Sequence, residues 1–129
     1  MIPNNDMRKQ QILVVDDEPL VCETVMMLLE SEGHVVARAN SAQQALALFQ
    51  PGRFDLIFTD FFMPTMTGEQ LAIAIKSRCP AQPVVMLTAY PEKLQSYGRP
   101  PSVVDLFIGK PFEVESLRAA ITKFSPAQA

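Results

Sequence analysis

The chain has 129 residues, a length that suits one compact domain. Hydrophobic residues make up 48% and charged residues 19%, a balance that excludes a disordered chain. The net charge is −3 and Lys and Arg form no cluster, which argues against a direct nucleic-acid surface.

The first eleven residues are polar and contain no apolar run, so no signal peptide is read there. No apolar stretch approaches the roughly 20 residues needed to span a bilayer. The expectation is a cytoplasmic protein without membrane insertion. Cys22 and Cys79 have no CxxC partner and are expected as free thiols in or near the core.

Strand-like and helix-like segments alternate along the chain. Ile12-Leu13-Val14-Val15 is a short β-branched run of the kind a strand buried on both faces carries. Asp16-Asp17-Glu18-Pro19 ends it, and from Val21 the pattern turns helical. Val21, Val25, Leu28 and Leu29 share a face, with Glu23 and Glu30 off it. Gly33 stands where a helix C′ residue belongs. Residues 34–39 read as the second strand, and His34 at its start is expected on the surface.

Ser41 with Gln44 resembles a capping box, followed by Ala42, Ala45, Leu46 and Phe49 at helical spacing. Pro51-Gly52 stops that helix. Leu56-Ile57-Phe58-Thr59 forms the third strand and ends at Asp60. Gly68 opens a third helix with Leu71, Ala74 and Ile75 on its buried face. Val84-Val85-Met86-Leu87 is the fourth strand and ends at Thr88. Residues 91–102 contain Pro91 and Pro100-Pro101, which predicts a short or irregular fourth helix. Residues 103–108 are the fifth strand. The last helix carries Val114, Leu117, Ile121 and Phe124 on one stripe.

Five β/α units imply an α/β fold: a parallel sheet with helices on both faces and right-handed crossovers. In such sheets, ligands gather outside the carboxyl ends of the strands. Asp16 and Asp17 end the first strand, Asp60 the third and Thr88 the fourth, while Lys110 follows the fifth. Three crowded carboxylates repel, and a hard cation such as Mg²⁺ relieves them through oxygen ligation. A carboxylate can attack phosphorus, and a cation with a lysine can neutralise the developing charge.

Leu13-Val14-Val15-Asp16-Asp17-Glu18-Pro19, Thr59-Asp60 with Met63-Pro64 and Gly68, Leu87-Thr88-Ala89, and Lys110-Pro111-Phe112 resemble the receiver domains of bacterial response regulators. The likeness runs from about Gln11 to Phe124. It implies the flavodoxin-like, doubly wound five-stranded parallel sheet of order 2-1-3-4-5, the strand order of chemotaxis receivers. It also implies a domain over residues 11–125, an extended or disordered arm over 1–10 and a tail over 126–129.

Residue by residue, the resemblance makes Asp60 the phosphoacceptor, Asp17 a direct metal ligand and Asp16 a ligand acting mainly through water. The backbone carbonyl of Phe62 completes the protein's share of a Mg²⁺ shell, in which Mn²⁺ is an alternative. Thr88 and Lys110 hold the phosphoryl group, Phe107 is the switch aromatic, and small Ala89 leaves room. The Lys110-Pro111 bond is expected cis.

The implied function is a phosphoaspartate switch, not an enzyme in the usual sense. It takes its phosphoryl group from a sensor histidine kinase or phosphotransfer protein, catalyses its own transfer, dephosphorylates slowly, and signals to a downstream protein. A homodimer is compatible with this. The polar start at Met1 favours a stand-alone regulator over part of a larger kinase or transcription factor.

Two features depart from the family pattern. Phe62 and Tyr90 flank the path of an attacking water, yet neither can orient it, which predicts a persistent phosphoryl group. Pro100-Pro101 puts the usual dimer surface in doubt. The competing readings are a phosphorylation-independent docking module, an aspartate-nucleophile phosphatase of the haloacid dehalogenase type and a flavin-binding module. The phosphatase lacks its Asp-x-Asp here. The flavin module would need a Ser/Thr/Gly-rich loop that donates hydrogen bonds to a phosphate, where the carboxylates stand and would repel it.

Overall fold

A computed structural model describes residues 9–88, 104–109 and 113–124. Its strands are β1 (Gln11–Val15), β2 (Val35–Ala39), β3 (Leu56–Asp60), β4 (Val84–Thr88) and β5 (Leu106–Gly109). Its helices are α1 (Pro19–Ser31), α2 (Ala42–Leu48), α3 (Gly68–Arg78) and α4 (Val114–Lys123). The strands form one parallel sheet, as the β/α alternation predicts, in the order β2-β1-β3-β4-β5 that the family resemblance implies.

Every residue of β3 and β4 is buried, as is all of β1 except Gln11, because helices cover both faces. That is why these strands read as unbroken apolar runs rather than alternating ones. Leu13, Val15, Ile57, Val84 and Met86 face α2 and α3. Ile12, Val14, Leu56, Phe58, Val85 and Leu87 face α1 and α4. The sheet therefore divides two cores. Each fully buried aliphatic or aromatic side chain in them contributes about 1.5–3 kcal/mol.

Several local features differ from the sequence expectation. Helix α1 starts at Pro19 rather than Val21, because proline suits a first helical turn. The buried stripe of α3 is Gly68, Leu71, Ala72 and Ile75, whereas Ala74 is only half-buried. Spacing of three, four and seven from Gly68 selects Ala72. Gln44 donates its N–H to the Ser41 hydroxyl, but its side chain reaches back to the Asn40 N–H instead of closing the box on Ser41. The reciprocal capping box lies at Thr67 and Gln70, where the sequence reading did not place one.

His34 is buried, not on the surface. At the end of α1, Gly33 has φ +93° and donates to the Glu30 carbonyl, while His34 N–H donates to the Leu29 carbonyl. These two bonds make a Schellman turn. The turn carries the chain sharply back, so His34 lands against Gln10 just ahead of β1. Gln10 is itself buried, which extends the folded unit one residue into the stretch read as an arm. The other arm residues through position 8, the fourth helix over 91–102, the start of the fifth strand at Val103, the Lys110-Pro111 bond and the tail lie outside the described residues. The predicted free thiols hold: Cys22 is buried and Cys79 half-buried, neither in a disulfide.

Candidate functional site

The carboxyl ends of the central strands place the chemistry. Strand β1 delivers Asp16 and Asp17, and β3 delivers Asp60, because β1 and β3 are hydrogen-bonded neighbours. Ligand-capable oxygens of the three carboxylates lie within 4.8 Å of one another. Asp16 and Asp60 are buried and Asp17 is half-buried, so the cluster is set into the rim but reachable. Asp16 Oδ1 accepts the Glu18 N–H at 2.9 Å, which fixes its carboxylate against the start of α1.

Three carboxylates this close carry a strong mutual repulsion, and a hard dication with oxygen preference is the group that such a donor set fits. Each side chain can offer an oxygen, and the shallow setting leaves space for water in the shell.

Thr88 ends β4 and is completely buried. Asp60 pairs with Leu87 in the β3–β4 register, so Thr88 stands one residue farther along the same rim. Phe107 on β5 pairs with Met86, is partly buried and packs against the core on the α2–α3 side. Ala89, Tyr90 and Lys110 lie outside the described residues.

The loop after Asp60 is held by backbone contacts that sequence patterning did not disclose. The Thr59 hydroxyl donates to the Asp60 carbonyl at 3.0 Å. The Gly68 N–H donates to the Phe61 carbonyl at 2.8 Å. A Cβ on Gly68 would overlap the Asp60 carbonyl oxygen, so only glycine lets α3 start this close to β3. Between them, Thr65 adopts φ +75° while the Met66 N–H donates to the Pro64 carbonyl at 2.8 Å. That i→i+2 bond with positive φ is the strained γ-turn form. The signal that could have been read is Gly68 itself, a glycine at a helix start where no turn needs it.

Phe61 is buried, and Phe62 is 40% exposed. The two rings meet edge to face with centroids 4.6 Å apart. Phe62, two residues after Asp60 in the chain, therefore exposes part of an apolar ring to solvent. Asp16, Pro19, Cys22, Arg38, Asn40 and Gln44 line a cavity of about 280 Å³. Burial pushes the Cys22 thiol pKa up, with the nearby Asp16 charge acting in the same direction. The thiol stays protonated and is no nucleophile.

Comparison with known proteins agrees with this geometry. The family model for the response regulator receiver domain matches residues 12–122. The DNA-binding response regulator MtrA of Mycolicibacterium smegmatis is 32% identical over 116 residues, which cover 90% of this chain and 50% of that protein. The chain spans half or less of the length of the first curated relatives it matches. A response regulator receiver domain protein from Clostridium thermocellum superposes with a TM-score of 0.81 at 28% identity, covering 88% of this chain and 92% of that one. The response regulator TrrA from Thermotoga maritima, solved in complex with Mg²⁺-BeF, gives a TM-score of 0.76 at 30% identity, with 89% of this chain and 98% of that one covered. Receiver domains are signalling domains that bind Mg²⁺ at an acidic pocket. With the sheet order, the clustered acids and a match over residues 12–122 in agreement, the chain belongs to the response regulator receiver domains of two-component systems.

Proposed function

We propose that this domain, over residues 11–125, is a phosphoaspartate switch in which Asp60 accepts a phosphoryl group from a sensor histidine kinase or phosphotransfer protein. The observation that carries this reading is the cluster of Asp16, Asp17 and Asp60 at the carboxyl ends of adjacent strands.

Asp16, Asp17, Asp60 and the Phe62 backbone carbonyl would hold Mg²⁺. When bound, the ion supplies positive charge against the crowded carboxylates and the entering phosphoryl oxygens. An Asp60 carboxylate oxygen attacks phosphorus in line with the leaving group. The new O–P bond forms as the donor's N–P bond breaks. The electron pair returns to the donor imidazole, which takes up a proton. Thr88 donates its hydroxyl to a phosphoryl oxygen, and Lys110 pairs with another. Drawing Thr88 toward the phosphate opens space into which Phe107 turns, which biases a two-state equilibrium read by a downstream protein.

Hydrolysis requires a water in line with the acyl phosphate. Neither Phe62 nor Tyr90, two residues after Thr88 in the chain, carries a carboxamide or carboxylate, so neither offers that water a base or an orienting group. The phosphorylated state is therefore long-lived. The chain acts in the cytoplasm through protein contacts, as a monomer or homodimer.

Incubation with a small acyl phosphate and Mg²⁺ should add one phosphoryl group, read by intact mass. Chelation of Mg²⁺, or Asp17→Asn, should reduce the adduct at least tenfold, about 1.4 kcal/mol of transition-state stabilisation. An adduct that forms equally with chelator present contradicts the metal assignment. No adduct in the wild type favours a phosphorylation-independent docking module.

A further inference from the structure

The one histidine of the chain sits far from the carboxylate rim, at the opposite end of the sheet. His34 is 5% exposed and directly precedes the edge strand β2. Its Nδ1 accepts the Gln10 backbone N–H at 3.1 Å. The Gln10 carbonyl accepts the Val35 N–H at 2.9 Å, so the imidazole adds one rung below the β1–β2 ladder.

An accepting Nδ1 fixes the neutral tautomer with its proton on Nε2. Nε2 is buried and has no hydrogen-bond partner among the described residues. The seat is thus matched to neutral imidazole only. A second proton would go to Nδ1, and two N–H donors would then face each other across the 3.1 Å contact. The bond to Gln10 cannot persist in that state, and among the described residues the new charge has no acceptor at Nε2 either.

We infer that His34 is an acid-sensitive latch on the β1–β2 edge, whose protonation requires the ring to leave its seat and frees the start of β2.

The surrounding charges give the latch its direction. Burial holds the His34 pKa below the usual 6.5, and among the described residues Glu32, from the turn after α1, pulls the other way. Glu32 is already held by Arg118 of α4 in a fork, with Nε at 3.0 Å and Nη2 at 2.8 Å. Glu115 lies 3.9 Å from the same guanidinium. From the β3 side, Asp55 is engaged with the Gln11 N–H at 2.8 Å. Lys9 and Glu30, from the start of the chain and from α1, are exposed. An imidazolium that leaves its seat therefore finds Glu32 as its counter-charge and competes with Arg118 for it, which reaches α4.

The unfolded chain protonates His34 near pH 6.5, and the folded chain only below that value. Unfolded molecules thus bind more protons in the interval between. Stability contributed by the latch is complete above pH 6.5 and is lost as pH falls through the lowered folded value. Within that interval the folded-to-unfolded ratio drops by up to tenfold per pH unit.

The single imidazole makes the test unambiguous. In ¹H NMR of the intact chain, the His34 ring should titrate with a midpoint below 6.5. The Gln10 and Val35 amide resonances should shift with that same midpoint. His34→Asn places a non-titrating carbonyl where Nδ1 accepts, so it should abolish the pH dependence at Gln10 and Val35. A ring that titrates at or above 6.5 with those amides unmoved overturns the latch. So does a His34→Asn protein that keeps the wild-type pH dependence. Should that variant not fold, the wild-type titration decides alone.

Discussion

At the residue scale, Asp60 is placed as much by its neighbours' backbones as by its own strand. Gly68 approaches the Asp60 carbonyl so closely that a single methyl group would overlap it. Gly68→Ala must push the start of α3 off β3, at a cost of about 1–3 kcal/mol. The denaturation midpoint should fall accordingly, and phosphorylation should slow. A Gly68→Ala protein as stable as the wild type would show that the loop yields without strain. In the proposed switch, the Phe62 ring is assigned the opposite property, the lifetime of the product. Phe62→Asn combined with Tyr90→Glu should raise the dephosphorylation rate about a hundredfold, the low end of what a positioned general base contributes. An unchanged rate, followed by loss of the mass adduct, removes these side chains from the account.

The candidate site was legible at this scale because its residues terminate buried runs: Asp16, Asp17, Asp60 and Thr88 each follow an apolar β segment. Polar groups at that position on an open sheet face a ligand crevice whatever the family. The γ-turn at Thr65 and the burial of His34 were not legible. Threonine at positive φ contradicts its own preference, and histidine after glycine reads as a surface turn. In both cases tertiary contacts override local chemistry.

At the element scale, helix termini carry what the strand pattern cannot. Helix α3 has a mean hydropathy that gives little support alone, but Thr67 and Gln70 satisfy each other's backbone donors at its start. Glu69 in its first turn and Lys76 and Arg78 in its last complement the helix dipole. Thr67→Ala should cost about 1 kcal/mol, measurable by urea unfolding. Thr67→Ser should recover most of it. Equal loss in both variants would point to the threonine methyl rather than its hydroxyl. The sequence pattern indicated all four described helices and placed the start of α3 at Gly68, whereas α1 begins two residues before the Val21 start that apolar spacing gave, because Pro19 opens its first turn. The start of β5 is set in the same way. Asp105 takes both the Val84 N–H at 2.8 Å and Lys76 Nζ at 2.7 Å, so it closes the sheet below the strand instead of joining it.

At the scale of the whole molecule, the sheet separates two cores that share strands but not side chains. Leu71 belongs to the core under α2 and α3, and Leu117 to the core under α1 and α4. Each is essentially inaccessible to solvent. Leu71→Ala and Leu117→Ala should each cost about 2–5 kcal/mol. Their effects should add within about 0.5 kcal/mol in the double variant, because the two sites have no common partners. A larger coupling energy would mean that the sheet transmits strain between its faces.

That two-sided construction leaves the carboxyl ends of the strands as the open rim, and the proposed chemistry is confined there. The direct measurement is intact-mass spectrometry of the wild type and of Asp60→Ala after incubation with a small acyl phosphate and Mg²⁺. One added phosphoryl group in the wild type and none in Asp60→Ala is the predicted result. An adduct of equal yield in both proteins would contradict Asp60 as the acceptor.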